Sequence, residues 1–62
     1  MQVFIIQTKD GVVFYITTTL EKAMSFVTGS YTGIGHWNIK NNHLGYELNS
    51  KLMMTICWMF VN

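Results

Sequence analysis

Gln2-Val3-Phe4-Ile5-Ile6-Gln7-Thr8, then Lys9-Asp10-Gly11, then Val12-Val13-Phe14-Tyr15-Ile16-Thr17-Thr18: this stretch decides the fold. Two runs rich in β-branched and aromatic residues flank an Asp-Gly pair. Such runs around Asp-Gly are a strong short hairpin signal, because a type I′ turn needs positive φ at both central residues. With Asp10 and Gly11 central, Lys9 faces Val12, Gln7 faces Phe14 and Ile5 faces Ile16. One face then carries Val3, Ile5, Phe14 and Ile16, and the other Phe4, Ile6, Val13 and Tyr15. A hairpin with one wet face alternates apolar with polar. This one is apolar on both faces, so each face wants a cover.

A helix is expected next. Thr18 and Glu21 have the spacing of a capping box. Leu20, Ala23, Met24 and Val27 fall on one stripe at helical spacing, with Phe26 off it, and Gly29 suits the C′ position. A helix this short covers one face of a sheet only.

A second hairpin spans His36 to Leu48. With Asn41-Asn42 as the turn, Trp37 pairs with Tyr46 and Ile39 with Leu44. Trp37, Ile39, Leu44, Tyr46 and Leu48 then share an apolar face, while His36, Asn38, Lys40, His43 and Glu47 share a polar one. A slip by one residue would scramble that separation. The last strand is placed in the same way. A two-residue turn at Asn49-Ser50 would set Glu47 beside Leu52, Met54 and Ile56. A three-residue loop, Asn49 to Lys51, pairs Leu48 with Leu52 and Tyr46 with Met54, and extends the apolar face through Ile56, Trp58 and Phe60. The three-residue loop is preferred. The reading is an α+β domain over residues 1–62: a small antiparallel sheet in ββαβββ order, with one short helix on one face.

Composition points to binding rather than chemistry. A chain of 62 residues hides only roughly 60% of the surface its unfolded form exposes, and is marginal alone. Small domains add disulfides, metals or partners. Cys57 is the one cysteine, so no internal disulfide can form, and no Cys/His set has zinc spacing. Half of the residues are hydrophobic and 11% are charged, against about 25% in ordinary domains. Self-association is the remaining support. It is placed on Met53, Thr55, Cys57, Met59 and Val61, the outward face of the last strand; the first hairpin's face away from the helix is a second candidate. The +1 balance and the absence of arginine disfavour nucleic acid. The N-terminus lacks the basic region and cleavage site of a signal peptide. The run Leu52 to Val61 is too short to cross a bilayer, which takes about 20 residues, so a cytoplasmic protein is expected.

Catalysis needs a positioned titratable group and its partners. Asp10 is used by its turn and Glu21 by its cap, and His36 opposite Glu47 reads as a cross-strand polar pair. No complete nucleophile–base–orienter set is present, so neither an enzyme nor a cofactor or metal is expected. Binding has better material. The segment Gly29 to Gly35 holds three glycines, whose backbone can approach a ligand closely. Beside it lie Tyr31, His36, Trp37, Asn38 and Lys40. Aromatic planes stack on bases, amides read polar edges and lysine meets phosphate. Tyr31, Gly33, Gly35, His36, Trp37, Asn38 and Lys40 form the candidate ligand site.

Val3-Phe4-Ile5-Ile6, Val13-Phe14-Tyr15-Ile16 and Leu20-Glu21-Lys22-Ala23 give the first half a pattern that resembles small ββα-type proteins of bacteriophage genomes. Some of these are anti-defence factors. They block a bacterial immune protein or, as oligomeric sponges, sequester its nucleotide second messenger. The resemblance implies a homo-oligomer acting in the cytoplasm of a bacterial host cell on a nucleotide-type signal. The alternatives are a protein-directed inhibitor or adaptor docking an apolar sheet face on a host protein, and a structural assembly protein. No functional residue carries over from the resemblance.

Overall fold

The apolar alternation produces five strands and one helix. The computed structural model describes all residues, Met1–Asn62. In order they are β1 (Gln2–Thr8), β2 (Val13–Thr17), α1 (Leu20–Gly29), β3 (His36–Lys40), β4 (His43–Leu48) and β5 (Lys51–Phe60). This is the expected α+β chain in ββαβββ order. All neighbours in the sheet are antiparallel, and the spatial order is β2-β1-β5-β4-β3.

Strand β5 lies at the centre. It pairs with β1 from Gln2↔Phe60 to Thr8↔Met54, and with β4 on its other side. Side chains alternate between faces along a strand, so the register fixes which residues meet. Ile6, Ile56 and Leu44 form one cross-strand row, and Met54 and Tyr46 another. All five are buried. With Ala23 and Val27 from α1 they make the core. Ile6, Ile56, Ala23 and Val27 are fully buried. Phe4, Leu20, Met24, Trp37 and Trp58 pack around them.

The helix starts one residue later than its spacing suggests. Thr19, not Thr18, is the N-cap, and its hydroxyl accepts from the Lys22 N–H at 3.2 Å. Thr17 Oγ1 donates to the Thr19 carbonyl at 2.8 Å. This bond holds the chain extended up to the cap and moves it on from Thr18. Glu21 is left in the first turn, where a carboxylate suits the helix dipole. At the other end Gly29 is the last helical residue and has no positive φ. Ser30 caps instead, its hydroxyl donating to the Phe26 carbonyl at 2.8 Å.

The middle hairpin is as read. Asn41 and Asn42 have φ of 48° and 66°, Trp37 pairs with Tyr46, and Ile39 with Leu44. The other two hairpins differ in the same way. Gly11 N–H bonds the Thr8 carbonyl, and Thr8 N–H bonds that of Val12, both at 2.9 Å. Lys9 and Asp10 are therefore the central turn residues. Only Gly11 has positive φ, 87°. A three-residue loop of this kind, with glycine in the left-handed position, is the alternative to the expected type I′ turn. It sets Gln7 opposite Val13 rather than Phe14. A bulge at Phe14 then restores Ile5↔Ile16.

At the β4–β5 connection the expected three-residue loop is a two-residue turn. Asn49 and Ser50 take φ of 54° and 64°, and Leu48 pairs with Lys51, not Leu52. A bulge at Met53 then recovers the anticipated Tyr46↔Met54. A bulge inserts one unpaired residue, so both competing readings hold on opposite sides of it. Leu52, expected on the core face, pairs with Glu47 on the other. Phe60, also expected on the core face, lies at the strand's end and is exposed.

Two stability outcomes follow from this packing. Ile56→Ala empties the centre of the core and should cost about 2–5 kcal/mol in urea unfolding. Ser50→Gly removes a side chain from the left-handed region and should stabilise by about 0.5–1 kcal/mol, read as a higher melting temperature.

Candidate functional site

Strand alternation divides the candidate ligand residues. Trp37 faces the α1 side, where its ring centroid lies 4.8 Å from that of Tyr46. Tyr31 stacks on Tyr46 from above, at 5.9 Å and 27° between planes. Both are partly buried against the core. His36, Asn38 and Lys40 alternate with Trp37 and project from the opposite face, exposed. The aromatic half of the palette is therefore a structural cluster around Tyr46, and the polar half stands across the sheet.

The glycines next to it are explained by packing. A Cβ on Gly35 would lie 2.6 Å from Tyr46 Oη and 2.7 Å from the Glu47 carbonyl. Only glycine lets the chain pass so close to the tyrosine. Gly33 takes φ of 97° beside Leu48, a turn requirement.

The titratable groups are dispersed. His36 does sit opposite Glu47. His43 lies between Lys40 on one neighbour and Cys57 on the other. This thiol–imidazole adjacency follows from the Tyr46–Met54 register. His43 Nδ1 lies 3.2 Å from the Asn41 carbonyl oxygen, and Cys57 Sγ donates weakly to the Ile5 carbonyl at 3.8 Å. Each is turned to a backbone acceptor rather than to the other. No group of three or more His, Cys, Asp or Glu is placed to hold a metal, and no buried polar side-chain atom is left without a partner.

What the fold does assemble is a surface. The two candidate interface regions, the first hairpin and the last strand, are neighbours, because β1 pairs with β5. Across the face away from α1, Ile16, Ile5 and Cys57 form one cross-strand row. Val3 and Met59 form a second beside it, and Gln7 and Thr55 a third. Val61 prolongs the ladder, bonding reciprocally with Met1 at 2.7 and 2.9 Å. Met53 is the exception among the expected interface residues. As the bulged residue it packs partly against the core. Leu52 takes its place on the outer face, over Gly45, where an added Cβ would come within 3.0 Å of Leu52 Cδ1. Ile16 and Met59 remain 54% and 50% exposed. The bulge at Phe14 brings Val13 onto this face opposite Gln7, and the remainder, His43, Glu47, His36, Asn38 and Lys40 around Gly45, is polar.

The one concavity lies elsewhere, beside the outer edge of β2. It is a wide-open notch of about 470 Å³ lined by Tyr15, Glu21, Lys22, Ser25 and Phe26. Phe26, off the helical stripe, stacks on Tyr15 at 4.7 Å and meets Phe14 edge-on at 5.5 Å. Its off-stripe position was the available signal: an aromatic there must cover something beside the core.

Comparison with protein-family models, curated proteins and solved structures finds no match to this chain. No helix is long and apolar enough to cross a membrane.

Gly35→Ala separates the two meanings of the glycine loop. Overpacking against Tyr46 should lower stability by about 1–3 kcal/mol and change the near-ultraviolet circular dichroism of the Tyr31–Tyr46–Trp37 cluster. Unaltered stability would return Gly35 to the ligand reading.

Proposed function

We propose that the chain is a homo-oligomeric binding module that closes the sheet face away from α1 against a second copy. The observation behind this reading is the continuity of Ile16, Ile5 and Cys57 with Val3 and Met59, created when β1 pairs with β5. An antiparallel sheet with one helix-covered face and one apolar face has half of a sandwich; a second sheet supplies the other half. Covering the exposed halves of Ile16 and Met59 is worth about 1 kcal/mol each, a large gain for a core of seven residues. The polar end of the face, with His36, Asn38, Lys40 and Glu47, would form the rim of the contact.

Sequestration of a nucleotide-type immune signal, which the resemblance to phage anti-defence proteins implies, is carried less far. Tyr31 and Trp37 stand across the sheet from His36, Asn38 and Lys40, so one chain does not offer them together. Such a ligand would have to be held between subunits.

The double variant Val3→Lys, Met59→Lys places two charges on cross-strand partners at the middle of the patch. Light scattering should find a smaller assembly than for the unaltered chain, with the far-ultraviolet circular dichroism unchanged. An unaltered chain that stays monomeric at high concentration overturns the reading and leaves this face to a protein of another sequence.

A further inference from the structure

Strand β2 is an outer strand, so one row of its backbone N–H and C=O groups has no partner within the sheet. Natural proteins guard such edges with short strands, bulges, lysine, proline, inward-pointing charge or a covering element. The opposite edge, β3, follows that rule: it carries His36 and Lys40 at its two ends. β2 reads Val13-Phe14-Tyr15-Ile16-Thr17, with no charge and no proline, and its first four residues are all exposed. Its guards are its five-residue length and the bulge at Phe14 near its start, which leaves Tyr15-Ile16-Thr17 as a regular open edge. Beside it lies the open notch between β2 and α1, with the stacked Tyr15 and Phe26 as its apolar wall and Glu21, Lys22 and Ser25 along its rim.

We propose that β2 pairs antiparallel with β2 of a second copy across a two-fold axis. The pairing joins two five-stranded sheets into one of ten strands and sets the two notches against each other. Water satisfies the unpaired edge groups in a single chain, and the one protein element that can replace it along the whole edge is another extended strand. The side chains restrict that strand to one that is apolar on both faces and uncharged, and β2 itself meets the description. Glu21 and Lys22 are adjacent and opposite in charge, so the notch carries no net charge, and the two-fold turns each acid toward the other copy's base. An isologous contact of this kind is self-complementary and closes at two copies. It also covers Phe14 and Tyr15, which one chain leaves about half exposed, and the open part of Phe26. This contact uses the edge of the sheet and is independent of the face contact above. The two together give an assembly larger than a dimer.

The test separates the contacts. In the Val3→Lys, Met59→Lys background, sedimentation should still find a dimer, and adding Tyr15→Lys should reduce it to a monomer that keeps its circular dichroism. Glu21→Lys alone in that background should weaken the dimer about tenfold, equivalent to about 1.4 kcal/mol, and adding Lys22→Glu should restore it. Amide hydrogen exchange on the unaltered chain gives a readout that needs no variant: the amides of Val13–Thr17 should slow as concentration rises. A monomeric Val3→Lys, Met59→Lys chain, a dimer indifferent to Tyr15→Lys, or β2 exchange independent of concentration overturns the edge contact. A Val3→Lys, Met59→Lys assembly the size of the unaltered one overturns the face contact instead.

Discussion

Everything in this molecule depends on the antiparallel pairing of β1 with β5. The β1–β2 hairpin and the β3–β4–β5 meander are local, and neither buries its apolar residues alone. Their union is not local. Ile6 meets Ile56 across most of the chain, and closing a loop of about 50 residues costs on the order of 3–4 kcal/mol in chain entropy. Seven consecutive residue pairs offset that cost. Once β1 is seated on β5, Ile6 completes the row of Ile56 and Leu44, and α1 has a floor on which to set Ala23 and Val27. The same pairing builds the outer surface, since Val3 and Ile5 become neighbours of Met59 and Cys57 only through it.

Two bulges reconcile turns with faces. Lys9-Asp10-Gly11 and Asn49-Ser50 each choose their own turn geometry from local backbone preference. Neither choice delivers the register that the apolar pattern demands. One unpaired residue in each case, Phe14 and Met53, absorbs the difference. Local and global preferences conflict here, and the backbone yields at a single point rather than along a whole strand. Both bulged residues are large and apolar. Phe14 gains a contact with Phe26, and Met53 packs against the core.

Much of this was legible in the sequence because it is periodic. Trp37, Ile39, Leu44 and Tyr46 separate so cleanly from His36, Asn38 and Lys40 that the Asn41-Asn42 hairpin has one sensible register. The helical stripe and the apolar doubling of the first hairpin were equally plain. The rest is not carried by periodicity. A bulge leaves composition unchanged and shifts alternation by one residue, so Asn49-Ser50 and Asn49 to Lys51 each looked exclusive when both contribute. The cap moved from Thr18 to Thr19 on one hydrogen bond from Thr17. For the site, alternation already sets Trp37 across the sheet from His36, Asn38 and Lys40, but Tyr31 lies in a loop with no period, and its stacking on Tyr46 is a tertiary contact. Gly35 looked like a ligand glycine because nothing in its neighbourhood names Tyr46, which is eleven positions further on.

Met1 and Val61 exchange two backbone hydrogen bonds at the end of the β1–β5 ladder. The path of the chain through the sheet is thus almost a circle, broken at one point where its two sides already touch. Joining residue 62 to residue 1 through a short linker would leave every strand pair in place. The closed chain could then be opened at another turn, such as Asn41-Asn42, to give the same sheet with a new order of elements. The architecture is a property of the cycle of contacts, and the position of the break is incidental to it.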